Sequence, residues 1–292
     1  MPTLKEIKGR IGSVKSTLKI TSAMKLVSSA KLRKAQVAIE AMRPYEEAMQ
    51  GILASLQIPG QDGNDEVVLD TENTVMPGSD RTSKPTAIVA MASNSSLCGG
   101  FNSNIIAKVR SERHSGDVVY SVGRKMADAM RRDGFPSPDD LNDLVEHPAY
   151  GPAAALVEKL AHEVEEGRYS RVLLVYTHFA STARQVPVAE QLLPAAPVNA
   201  VMPDADRASE DILIEPGKKE LLESLLPKAL KLKLYAALLD SVAAEHAART
   251  VAMQTATDNA ENLLSELTLQ YNKGRQQKIT AEILDLAGGQ TE

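Results

Sequence analysis

The chain has 292 residues, 43% of them hydrophobic but only 3% aromatic, with no Trp and a formal net charge of −5. That length supports one large domain or two small ones, and an Ala- and Leu-rich palette suits long helices better than a β-sandwich or an aromatic-lined pocket. The lone Cys98 excludes an internal disulfide and suits a reducing compartment, no run approaches the ~20 apolar residues of a membrane span, and the opening MPTLKEIKGR lacks the apolar core of a secretory leader.

Residues 1–58 form the first predicted segment, helical from residue 3. Apolar residues fall at Leu4, Ile7, Ile11, Val14 and Leu18, and again at Ala35, Ala38, Met42, Tyr45, Met49, Ile52 and Leu56. That 3-4 spacing is the seam of a coiled coil. Between the runs the register slips and the seam turns polar, through Thr21, Met24, Ser28 and Lys31. Pro44 is expected to kink or interrupt the helix. The stretch KGRIGSVKSTLKITSAMKLVSSAKLRK, residues 8–34, carries eight Lys or Arg and no acidic residue in an otherwise acidic chain. A lone basic helix is ordinarily a solvated face, so the question is what this one touches.

Residues 59–85 are rich in Pro, Gly, Asp and Asn and read as a mobile insert, with one short strand at 66–69. Residues 86–200 alternate strands and helices. TAIVAMAS is a buried-type strand, followed by a Gly-Gly turn and the helical pattern FNSNIIAKVRSERH. DVVYSVG, KMADAMRRD, GPAAALVEKLAHEVEEG, RVLLVYTHF and QVPVAEQLL follow as strand, helix, helix, strand and strand. This implies a small α/β layer with a partly parallel, Rossmann-like sheet. After a linker at 201–217, residues 218–292 become helical. Lys228 to Lys273 contains neither Gly nor Pro over 46 residues. Its 3-4 seam runs through Leu232, Tyr235, Leu239, Val242, His246, Arg249, Met253, Ala256, Ala260, Leu263 and Leu267.

Long helices with narrow apolar stripes must bury them. The two at opposite ends of this chain are therefore expected to pair as an antiparallel coiled-coil shaft projecting from the α/β domain. Catalytic signatures are missing: there is no GxxxxGK[ST] and no GxGxxG. The turn LCGGFN, 97–102, stands after a strand and before a helix, where a phosphate or simply a tight turn is at home. The histidines at 114, 147, 162, 178 and 246 have no metal-ligand spacing. His246 beside Arg249 reads as a polar pair that fixes register or faces a partner, and Cys98 as a small core or turn residue.

RIGSVKSTLKITSAMKLVSSAKLRKAQ (10–36), LCGGFN, QVPVAEQLLP and EHAARTVAMQTATDNAENLLSELTLQYNKGRQQKITAEILDLAGG (245–289) together resemble the γ subunits of F-type ATP synthases. The pieces run in family order and cover nearly the whole chain, the 59–85 insert excepted. The resemblance implies a non-catalytic central rotor shaft, one copy per complex, turning inside an α3β3 hexamer, with its foot on ε and the c-ring. It implies a peripheral place on the cytoplasmic face of a bacterial inner membrane, without insertion, and no cofactor, metal or nucleic acid. Matched residue by residue, Met24 and Lys25 correspond to the position facing the β lever. Glu245 and Arg249 correspond to polar shaft residues, and Arg275, Gln276 and Thr280 to those meeting the β catch loop. The basic face, with Lys15, Lys19 and Lys25, is expected to turn past acidic groups on β. The chain departs from the family at Asn94-Ser95-Ser96, where the family has D-x-G, at Gly274, and in its polar end GGQTE.

Two other classes fit parts of the sequence. One is an α/β enzyme with helical oligomerisation arms, against which the missing cofactor fingerprint stands. The other is a nucleic-acid binder using the basic helix, against which the pI of 5.7 and the lack of interleaved aromatics stand.

Overall fold

The computed structural model describes residues 3–57, 84–194 and 217–288. The expected strand at 66–69, most of the 59–85 insert and the 201–217 linker, and residues 289–292 of the GGQTE end lie outside the described residues.

Helix α1, Leu4–Gln57, runs for 54 residues, and α6, Lys218–Gly288, for 71. At ~1.5 Å per residue these are roughly 80 and 105 Å long. Both pass through a proline, Pro44 in α1 and Pro227 in α6. The interruption expected at Pro44 does not occur. Between the long helices lie β1 (Thr86–Met91), α2 (Phe101–Glu112), β2 (Val118–Val122), α3 (Arg124–Arg132), the short α4 (Asp143–Glu146), α5 (Tyr150–Glu165), β3 (Arg171–Phe179) and β4 (Gln185–Leu193).

The strands form one sheet in the order β2-β1-β3-β4. β1 pairs parallel with β2 and β3, while β4 returns antiparallel along β3. A parallel strand covered on both faces reads as a continuous apolar run, and all six residues of β1 are buried. Ile88, Ile105, Met126, Met130 and Val175 pack one face of the sheet under α2 and α3. Val89, Tyr120, Leu160, Leu174, Leu234 and Leu238 pack the other, under α5 and α6.

Helix α6 is therefore shared. From Leu232 to Arg249 no residue is exposed and most are buried, because the sheet covers one side and α1 the other. The two long helices pair antiparallel. Leu4 meets Gly274, Thr21 meets Thr257, Leu32 and Ala35 pack with Val242, Ala243 and Ala247, and Met49 and Leu53 pack with Leu222.

The seam differs from the expected one at definite positions. Lys31 is exposed and Leu32 buried in its place; Tyr45 and Ile52 are exposed and Leu53 buried; Leu263 is exposed, and Thr257 is more buried than Ala256. The side chain of Leu56 lies outside the described residues. An α-helix of 3.6 residues per turn drifts ~20° per heptad against a strict 3.5 repeat. The buried line accordingly slips to the next residue at Lys31, Ile52 and Ala256.

Candidate functional site

The nine candidate residues lie at three levels of the shaft. The first is the end of α6. Helix α1 begins in a capping box, in which Thr3 N–H donates to Glu6 Oε2 at 2.8 Å and Glu6 N–H to Thr3 Oγ1 at 3.3 Å. Leu4 lies over Gly274, where a Cβ would sit 3.1 Å from Leu4 Cδ2. Gly274 thus faces the α1 seam rather than a partner-facing surface. Beyond it α6 has no helical mate among the described residues. Arg275, Gln276 and Thr280 stand exposed on this overhang, with Ile279, Ile283 and Leu284 exposed beside them.

The second level is the basic stretch. Lys15 and Lys19 are exposed; Met24 and Lys25 are half-buried. None of the eight Lys and Arg of residues 8–34 comes within salt-bridge distance of a carboxylate among the described residues. Ser13, Ser16 and Thr17 turn their hydroxyls back onto the carbonyls of Gly9, Gly12 and Ser13. The face is not merely basic and small, because Ile20, Leu26 and Val27 are 59%, 71% and 58% exposed within it. Below Lys19 the seam is polar: Thr257 Oγ1 donates to Thr21 Oγ1 at 3.0 Å, and Thr21 donates to Leu18 O at 3.1 Å.

The third level is the junction with the α/β domain, and here Glu245 and Arg249 point inward. Arg249 is 7% exposed and Glu245 5%. Arg249 Nη1 donates to Glu245 Oε1 at 2.6 Å, and Nη2 donates to Ser95 Oγ at 2.9 Å and to Ser95 O at 3.4 Å. The guanidinium thus fastens α6 to the turn that follows β1. In that turn Leu97 takes a left-handed φ of 67°, a strained conformation for a side chain of its size. Ser93, Cys98 and Asn102 brace it: Asn102 Nδ2 donates to Ser93 Oγ at 2.8 Å and to Cys98 Sγ at 3.1 Å.

Burial raises the Glu245 carboxyl, against the lowering pull of Arg249. Burial, together with Arg249 and Lys31, lowers His246 to about 4, so its half-buried imidazole is neutral at pH 7. A second tie lies one to two turns earlier, where Asp240 accepts from Phe179 N–H at 3.0 Å and pairs with His178 Nδ1 at 2.6 Å. Asp240 and His178 had no motif to announce them. Ser95 was marked only as part of Asn94-Ser95-Ser96, where the chain departs from the family's D-x-G.

Nothing in this arrangement assembles a catalytic constellation. Among the described residues no group of three His, Cys, Asp or Glu side chains could hold a metal ion, and no helix is long and apolar enough to cross a membrane.

The family profile described as ATP synthase matches residues 3–291. The chain is 44% identical over 296 residues to the ATP synthase gamma chain of Phocaeicola vulgatus, covering 99% of each. It is 43% identical over 298 residues to that of Bacteroides fragilis, again covering 99% of each. Against that of Flavobacterium johnsoniae it is 39% identical over 293 residues, covering 99% of this chain and 98% of the relative. Among solved structures it resembles a chain of the Euglena gracilis mitochondrial ATP synthase rotor, with a TM-score of 0.61 and 18% identity over 94% of this chain and 98% of that one. A chain of the OSCP/F1/c-ring assembly from the same organism matches with a TM-score of 0.64 and 19% identity, over 99% and 93%. At those identities the likeness is one of fold.

Proposed function

The chain belongs to the ATP synthase gamma-chain family, and from that membership we propose that it is the central-stalk rotor of a proton-translocating F-type ATP synthase. In this reading the α1–α6 shaft turns inside an α3β3 hexamer, and the α/β domain is the foot that engages ε and the c-ring. The complex then sits peripherally on the cytoplasmic face of the bacterial inner membrane. The γ chain performs no nucleotide chemistry. Its asymmetry makes the three β subunits unequal, and its rotation cycles them.

The observation that carries this is the pairing of the chain's two ends into one shaft, with a single-helix overhang at one end and the α/β domain toward the other. Lys15, Lys19, Met24, Lys25, Arg275, Gln276 and Thr280 remain accessible along it and are the proposed contacts with the hexamer. The buried Glu245 and Arg249 instead lock shaft to foot. The alternative, an enzyme with oligomerisation arms, is disfavoured because the two arms bury their seams against each other within one chain.

The test is reconstitution. The chain mixed with α and β subunits should yield one ATPase complex containing a single copy, while the chain alone should show no turnover and no stoichiometric nucleotide. Turnover by the isolated chain, or a self-associating chain that leaves α and β unbound, would overturn the proposal.

A further inference from the structure

Four elements bring polar side chains together where α1 passes the sheet. Glu46 comes from α1, Tyr176 from β3, Glu190 from β4 and Asp240 from α6, and all three carboxylates lie within electrostatic reach of the Tyr176 hydroxyl. Tyr176 is 9% exposed, and its hydroxyl donates to Glu190 Oε1 at 3.0 Å. Burial, with the carboxylates around it, raises the phenol, so it stays a donor.

Two of the three carboxylates have partners of opposite charge or strong donors. Asp240 accepts from Phe179 N–H and pairs with His178 Nδ1. Glu190 has the Tyr176 hydroxyl, and Lys233 Nζ lies 3.4 Å from its Oε2. Glu46 is the exception. It is half-buried, and among the described residues its one hydrogen bond comes from the Gln50 amide, Nε2 to Oε1 at 3.3 Å. No cation among the described residues comes within salt-bridge distance of it. Burial holds the Glu46 carboxyl above its ordinary 4.5; Arg43 on the same helix works against this, while Glu47, Asp240 and Glu190 add to it. Desolvation and like charge thus disfavour the same ionised form. The backbone beside Glu46 is also one bond short, because Pro44 has no N–H to give to the carbonyl of Glu40. Apolar packing onto α6 lies to either side, around Leu32 and Ala35 and around Met49 and Leu53.

We propose that the stretch of α1 around Glu46 is a proton-operated clasp between the shaft and the α/β domain. With Glu46 protonated, the repulsion from Glu190 and Asp240 is gone, and α1 lies closed toward β3, β4 and α6. With Glu46 ionised, the three charges push apart, and the helix opens more readily at the bond that Pro44 leaves out. The folded chain therefore holds a proton at Glu46 that the unfolded chain releases. The closing contribution is full below pH 4.5 and is lost as pH rises through the raised value. This inference stands apart from the rotor assignment, since it concerns contacts within the chain alone.

The test follows amide hydrogen exchange of the full-length chain between pH 5 and 8, corrected at each pH for the intrinsic exchange rate. Protection of residues 45–53 in the wild-type chain should fall as pH rises. Glu46→Gln keeps the acceptor for Gln50 but cannot ionise. It should hold the low-pH protection throughout and exceed wild type at pH 8 by at least about twofold, the size of effect that one partly screened charge pair gives. Glu190→Gln keeps an acceptor for the Tyr176 hydroxyl and removes one repelling charge, so it should shrink the wild-type pH step. Helix α2, on the far face of the sheet, should show neither effect. The two variants lie on different elements, so the misfolding of one leaves the other decisive. Wild-type protection at 45–53 that does not change with pH, a Glu46→Gln or Glu190→Gln chain that follows wild type across the range, or an equal change in α2 overturns the proposal.

Discussion

Arg249 Nη1 lies 2.6 Å from Glu245 Oε1, one turn earlier on α6, and both side chains are buried. A buried pair of this kind is weak evidence for net stability, but removing one partner strands a charge. Arg249→Met should therefore destabilise the chain by ~3–5 kcal/mol in denaturant unfolding, and adding Glu245→Met should recover most of that loss. Additive losses in the double variant would mean that the two residues do not act as a pair.

His246 is held at about 4, well below its ordinary 6.5. Between those values the unfolded chain binds a proton that the folded chain refuses. The stability this group contributes is thus present above pH 6.5 and lost as pH falls toward 4. Glu245, raised by burial, works in the opposite sense, so the useful quantity is a difference. The melting temperature of wild type minus that of His246→Gln should shrink steadily from pH 6.5 to 4. A difference independent of pH would place His246 in a solvated environment.

Gly274→Ala should raise the melting temperature of the full chain. Helix propensity favours Ala by ~1 kcal/mol in a helix interior. The added Cβ would meet only the Leu4 side chain, with Cδ2 at 3.1 Å, the end of a flexible and half-buried side chain in the first turn of α1. Gly274→Leu should lower the melting temperature, since Leu4 cannot give way that far. A fall with Ala as well would show that α1 and α6 need their closest approach at this point.

Lys15→Gln, Lys19→Gln and Lys25→Gln combined should leave assembly with α and β subunits nearly intact, because charges that are exposed or, like Lys25, half-exposed are screened and contribute little one by one. ATP-driven proton pumping in inverted vesicles should fall more than ATP hydrolysis does. Unchanged pumping per ATP at low and moderate salt would make the basic stretch a solvated face, and failure to assemble would make it structural.

Much of this was legible in the chain itself. The 3-4 runs beginning at Leu4 and Leu232 marked the two shaft helices, and the apolar run TAIVAM marked a strand buried on both faces. The exact seam was not legible, because a 3.5 template cannot follow a 3.6 helix for 50 residues, which is why Leu32, Leu53 and Thr257 displaced the residues before them. The burial of α6 on all sides also escaped the pattern. Its Ala-rich 236–248 stretch reads as one coiled-coil face until the sheet is known to lie on the other. The inward turn of Arg249 depends on Ser95, more than 150 positions away, and no local spacing encodes such a contact. The exposure of Ile20, Leu26 and Val27 follows from the polar seam through Thr21 and Ser28, which the spacing did mark and which leaves those three apolar residues on the outer face.

The central claim is that this shaft turns, and rotation can be watched directly. Cys98 is 1% exposed, so a cysteine placed at the exposed Ser111 on α2 gives one accessible thiol on the foot. A bead attached there, on a complex immobilised through its β subunits, reports the motion of this chain alone. With ATP the bead should rotate in one direction and pause at three positions per turn. A bead that stays fixed, or that only diffuses about its axis, while the same complex hydrolyses ATP would contradict the account.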